Sequence, residues 1–169
     1  MNTIRYTAPA RLLHWLMAAL LIGLLALGFY MSDLPLSPEK LQLYAWHKWA
    51  GVTAFILLAI RLLWRATHRP PALPASMSAA AQRMAHLGHL ALYGLMIAIP
   101  LSGWLMSSAK GFQTVYFGVL PIPDLLAKNP ELGELLATLH GGLNLLLVVA
   151  VLGHAAAALK HHFVDRDDV

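Results

Sequence analysis

Four histidines stand inside long apolar runs, and their positions carry the chemistry. His14 lies near the N-terminal end of the first run and His47 near the N-terminal end of the second. His140 lies near the N-terminal end of the last run and His154 toward its C-terminal end. A polar side chain inside a membrane span is costly and marks a functional position by default. The spacing of His140 and His154 adds geometry. Fourteen residues on one helix rise about 21 Å and fall within about 40° of four full turns, so both imidazoles point to one face at opposite depths. Antiparallel neighbours supply partners at matching depth. His47 meets His140 at one level, and His14 meets His154 at the other.

A facing pair of imidazoles can hold an octahedral iron from both axial sides, which is what a bis-histidine b haem requires. Two such pairs, about 20 Å apart along the helix rise, would make a redox path across a bilayer. The alternative for a single membrane histidine is an interhelical hydrogen bond. A zinc site would need three or four ligands at one depth, often with carboxylates, and no apolar run has Asp or Glu in its centre. The chain has no cysteine. That excludes disulfides, iron–sulfur clusters and covalent haem attachment, so any haem is held by coordination and packing alone.

The elements that must position these residues are read from apolar length. Of 169 residues, 59% are hydrophobic and 12% charged, against about 25% charged in a soluble domain. So apolar a chain of this size cannot hide its surface in water. Four stretches approach the roughly 20 residues needed to span a bilayer: about 12–31, 43–64, 87–106 and 135–159. Each must be helical, because lipid offers no partner for backbone polar groups. The expectation is an all-α membrane protein, a four-helix transmembrane bundle binding two haems, with residues 1–169 forming one domain. The first run is longer than a signal-peptide core and lacks an evident cleavage site, so it reads as a retained helix.

The net charge of +4 does not indicate nucleic acid, because the basic residues sit at the ends of apolar runs. Arg5, Arg11, Arg61, Arg65, Arg69, Arg83, Lys160 and Arg166 fall on one side, and Lys40, Lys48, Lys110 and Lys128 on the other. The split of eight against four places both termini in the cytoplasm of a bacterial inner-membrane protein. The connection from Ala66 to Ser76 contains Pro70, Pro71 and Pro74 and reads as an extended linker. In the long connection from Ser107 to Pro130, the spacing of Phe112, Val115, Tyr116 and Val119 is partly helical. It suggests a segment lying along the membrane surface.

Other residues admit two readings. His86 and His89, at i and i+3, could touch a haem propionate or a quinone, or could be solvated among headgroups. His161 and His162 could relay protons, since histidine titrates near neutrality, or could simply end a helix whose terminus favours positive charge. Gly51, Gly141, Gly142 and Gly153 stand beside His47, His140 and His154. They give clearance for a porphyrin or let helices approach closely. Trp15, Trp46, Trp49, Trp64 and Trp104, mostly near span ends, read as an aromatic belt.

The chain resembles the bacterial cytochrome b561 family over nearly its whole length. The resemblance is carried by Arg11-Leu-Leu-His14-Trp15, His47 followed by Gly51, and Arg61-Leu-Leu-Trp-Arg65. It continues in Ala85-His-Leu-Gly-His89-Leu and in Pro100 with Gly103. The most specific mark is His140 paired with Gly153-His154-Ala-Ala-Ala-Ala-Leu-Lys-His161-His162. The chain departs from that pattern in its tail, Asp165-Arg-Asp-Asp-Val169, which carries little positive charge. The resemblance implies two non-covalent b haems held by His14, His47, His140 and His154. It also implies electron transfer from periplasmic superoxide to ubiquinone. Lys48, Lys110 and Lys128 could steer an anion such as superoxide. Lys110, His89, His161 and His162 are the candidates for work on substrate and protons. No protein partner is required on this reading. The alternatives are an electron-transfer subunit serving a partner dehydrogenase or hydrogenase and, more remotely, a haem or metal transporter.

Overall fold

The computed structural model describes residues 6–68, 70–73 and 77–165. Arg5, Arg69, Arg166, Pro74, Ser76 and the end of the tail, all used above, lie outside the described residues. Four helices dominate: α1 (Ala8–Ser32), α2 (Pro38–Thr67), α3 (Ala79–Ala109) and α4 (Pro130–Lys160). Each is long and apolar enough to cross a membrane. The protein is therefore a multi-pass membrane protein with a four-helix bundle.

The helices run several residues beyond the expected spans, because each is closed by a local cap rather than by the edge of its apolar run. Thr7, Ser37, Ser78 and Asn129 accept a backbone N–H from the first turn of α1, α2, α3 and α4 respectively. Such caps satisfy donors that a helix start would otherwise leave unpaired. Pro38 and Pro130 open α2 and α4, where the missing N–H costs nothing. At the other end of α3, Gly111 (φ 75°) donates to the Ser108 carbonyl at 2.9 Å, and Phe112 donates to Ser107 at 3.0 Å. A left-handed residue is what such a helix stop needs.

The helices pack as two hairpins. α1 lies against α2 and α3 against α4, and the hairpins meet chiefly through α2 and α3. Few side chains are fully buried; Met17, Leu58 and Leu147 are among them. Leu12, Ile22, Leu63, Leu90, Leu145 and Leu152 are exposed, a surface suited to hydrocarbon rather than to water. The linker is irregular at 70–73. The start of α1, the end of α2, the start of α3 and the end of α4 form the terminal end of the bundle. The opposite end is the loop end.

The helical segment expected along the membrane surface is not present. Residues 112–119 instead enter a small antiparallel hairpin, β1 (Val115–Tyr116) with β2 (Leu120–Pro121). Its turn needs positive φ at Phe117 (50°) and Gly118 (72°), which a helix cannot contain. Tertiary ties override the local spacing. Trp49 Nε1 donates to the Val115 carbonyl at 2.6 Å, Lys48 Nζ to Phe112 O at 2.8 Å and Trp104 Nε1 to Pro123 O at 2.9 Å. Trp49 and Trp104 thus clamp the loop, beyond any role in a belt. Trp64 Nε1 donates to Thr7 Oγ1 at 3.0 Å.

Gly111→Val should lower thermal stability in detergent. A left-handed conformation costs a branched residue about 1–2 kcal/mol, and a Cβ there would stand 3.1 Å from the Lys128 side chain. A midpoint equal to that of the parent would contradict this account of the α3 stop.

Candidate functional site

The seam between the two hairpins holds the four histidines. Two pairs form, each drawing one ring from either hairpin. The ring centroids of His14 (α1) and His154 (α4) are 6.2 Å apart, and those of His47 (α2) and His140 (α4) are 6.4 Å apart. The pairing by depth read from the sequence is therefore the pairing in space.

These separations can be tested against a shared metal. A bond of about 2 Å from a first-row ion to each imidazole nitrogen, plus roughly 1 Å from nitrogen to ring centre, places two axial rings about 6 Å apart. Both pairs meet that value. Donor type agrees as well, since neutral imidazoles on opposite sides suit haem iron. Among the described residues, no cluster of three or more His, Cys, Asp or Glu could hold a bare ion, which disfavours the zinc alternative.

Space accompanies the rings of His47 and His140. A cavity of about 60 Å³ lies in the middle of the seam, bordered by His47, Gly51, His140 and Asn144. A larger one, about 990 Å³, runs from His47 and His140 toward the loop end, past Lys48 and Lys110. A Cβ on Gly51, Gly141, Gly142 or Gly153 would meet nothing within 4 Å. These glycines therefore border open space and do not mark tight helix contacts. The glycines that seat the rings are others. A Cβ at Gly103 would stand 3.1 Å from His140 Cε1, and one at Gly28 would stand 3.4 Å from His47 Cε1.

Polar support differs between the rings. His140 Nδ1 lies 3.1 Å from the Ile99 carbonyl and 3.0 Å from Ser102 Oγ. A carbonyl only accepts, so Nδ1 carries the proton and Nε2 keeps its lone pair, the form a metal needs. His47 Nδ1 is buried with no hydrogen-bond partner among the described residues. His14 Nδ1 lies 3.2 Å from an Arg61 nitrogen. A guanidinium only donates, so a neutral His14 in this arrangement carries its proton on Nε2. For His14 to ligate through Nε2, Arg61 must release Nδ1.

The remaining candidates are placed as follows. His89 joins the terminal-end pair, its ring centroid 5.7 Å from that of His154. His86 is exposed, so the two histidines of that motif part company. Arg61 and Arg65 both approach the Tyr93 ring, at 5.8 and 5.7 Å from its centroid. His161 lies in a π-helical turn (His161–Asp165), with Nδ1 3.2 Å from the Asp165 carboxylate. His162 is exposed and edge-on to Phe163. Lys110 pairs with Glu134 at 2.9 Å, and the Lys128 stem packs on Gly111. Of the three lysines considered for an anion, Lys48 and Lys110 border the large cavity. Sequence reasoning missed Ser102 and Gly28, and took Arg61 as an orientation charge and a mark of the family resemblance without its contact to His14. A serine within an apolar span, between Pro100 and Gly103, was the available signal for Ser102.

Fold and seam together define a class: a membrane protein of four spanning helices with paired intramembrane imidazoles. The sequence model of prokaryotic cytochrome b561 matches residues 5–169. Cytochrome b561 homolog 2 of Escherichia coli K12 is 37% identical over 97% of this chain and 88% of its own length. The probable superoxide oxidase CybB of Yersinia pestis is 29% identical over 72% of this chain and 69% of its own. Cytochrome b561 homolog 1 of Escherichia coli K12 is 26% identical over the same shares. The chain belongs to the prokaryotic cytochrome b561 family, whose members are membrane electron-transfer proteins that bind haem b.

Gly103→Val should displace the His140 ring and reduce the haem bound per chain, measured as pyridine haemochrome. Gly23→Ala, which meets nothing within 4 Å, should leave it unchanged. Equal loss in both would remove the assigned role from Gly103.

Proposed function

We propose that the chain binds two b haems, one between His14 and His154 and one between His47 and His140, and oxidises superoxide while reducing ubiquinone. The observation that carries this reading is the pair of ring separations, 6.2 and 6.4 Å, at two depths of one seam. When bound, each haem supplies a one-electron iron couple, which no side chain here possesses.

The protein's own groups hold, attract and protonate. Lys48 borders the large cavity, with its ammonium fixed by the Phe112 carbonyl and Asp124 near enough to act on its charge. It is an attractor for an anion at the loop end. Lys110 contributes less, because Glu134 offsets its charge in a direct ion pair. At the terminal end His89 sits beside His154 and is the candidate to hold a proton for quinone. His161 and His162, past the end of α4, are candidates to bring protons from water. Two superoxide ions each lose one electron and leave as dioxygen, while one ubiquinone gains two electrons and two protons. With the loop end periplasmic and both termini cytoplasmic in a bacterial inner membrane, the reaction moves electrons inward and takes protons from inside. The likeness to a probable superoxide oxidase and the cationic cavity together favour superoxide as donor over a docked partner enzyme.

The test is a redox difference spectrum of purified protein with haem quantified, followed by superoxide and ubiquinone. Two low-spin haems, reduced by superoxide and reoxidised by quinone, are expected. His47→Ala and His14→Ala should each remove one haem and abolish superoxide-dependent quinone reduction. Two haems that ignore superoxide would shift the donor to a partner protein, and fewer than two in the parent would end the reading. Lys48→Gln should slow the superoxide step by roughly two- to fivefold and flatten its dependence on salt, as loss of an attracting charge does. Lys128→Gln should leave both unchanged.

A further inference from the structure

The two rings of the loop-end pair border the same cavity with unequal support. His47 Nδ1 is buried and has no partner among the described residues. His140 Nδ1 has two oxygens within reach, Ile99 O at 3.1 Å and Ser102 Oγ at 3.0 Å. Ser102 Oγ also lies 2.7 Å from the Ile99 carbonyl, which can only accept. The single hydroxyl proton is therefore committed to Ile99, and the hydroxyl lone pairs are left to receive Nδ1–H. Ser102 is 4% exposed, so bulk water does not compete for this contact. Ile99, Ser102 and Gly103 stand at i, i+3 and i+4 and share one face of α3. That face offers an acceptor, a hydroxyl and a seat free of Cβ to the same imidazole.

We propose that Ser102 is a positioning residue which acts through His140 to set the redox potential of the loop-end haem. The inference rests on the bis-histidine reading above. An oxygen accepting from Nδ1–H makes the imidazole a stronger donor through Nε2. A stronger axial donor favours the oxidised iron and lowers the potential. The same contact fixes the ring's rotation. Among the described residues, the polar contacts to this pair's Nδ1 atoms come from α3.

The experiment is a spectroscopic redox titration of the haem-loaded protein and of Ser102→Ala and Ser102→Thr. His14→Ala, which should keep only the loop-end haem, assigns the two couples. In Ser102→Ala the loop-end couple rises and its low-spin EPR signal shifts, while the terminal-end couple stays where it was. A tenfold loss of preference for oxidised iron reads as about 59 mV in a one-electron couple. Ser102→Thr keeps the hydroxyl and restores the parent value. Should Ser102→Ala lose the haem, a loaded Ser102→Thr at the parent potential supports the proposal, and an empty one overturns it. An unchanged couple, or equal shifts in both haems, also overturns it while leaving the two-haem reading intact. Fewer than two haems in the parent sinks that reading first.

Discussion

An imidazole inside hydrocarbon needs partners, and much of this structure follows from that requirement. Water cannot satisfy the ring nitrogens at that depth, and an unpaired polar group there is costly. The bundle answers in three ways. His140 is tied to α3 by a carbonyl and a hydroxyl. His14 is met by Arg61. His47 Nδ1 has no partner among the described residues and lies beside a cavity. Only His140 has its Nδ1 proton held by acceptors, which leaves Nε2 free to donate a lone pair.

The rest of the fold keeps the rings at their separation. Each helix is fixed at its start by a side-chain cap, which sets where along each helix its histidines fall. Gly103 lets the His140 ring lie against backbone where a Cβ would crowd it, and the His47 ring lies beside Gly28. The loop-end hairpin is fastened to α2 and α3 by Lys48, Trp49 and Trp104. It borders the larger cavity through residues such as Val115 and Gly118. One loop thus shapes the approach to His47 and His140, and the same contact orients the lysine available to an anion.

Much of this was legible in the sequence, and the reasons are physical. Four spans could be read because lipid permits so few solutions to backbone hydrogen bonding. The histidine pairs could be read because a helix converts a fourteen-residue spacing directly into depth and direction. The hairpin could not. Its conformation depends on tryptophan and lysine ties from residues more than sixty positions away and on a phenylalanine at positive φ. Ser102 was hidden for another reason. A lone serine satisfies itself on its own helix as often as it reaches across, and only the placement of α4 shows that it does both. Arg61 counted rightly among the charges of one end, but its contact with His14 depends on the rotation of α2 against α1.

Both histidine pairs cross from the α1–α2 hairpin to the α3–α4 hairpin, while the hairpins otherwise meet mainly through α2 and α3. A group held by both rings of either pair would therefore brace one hairpin against the other. A ligand that binds only the assembled state stabilises it in proportion to the logarithm of its concentration over its dissociation constant. Cofactor supply and bundle closure then become one equilibrium. Without such a group, the hairpins would rest chiefly on the α2–α3 contact.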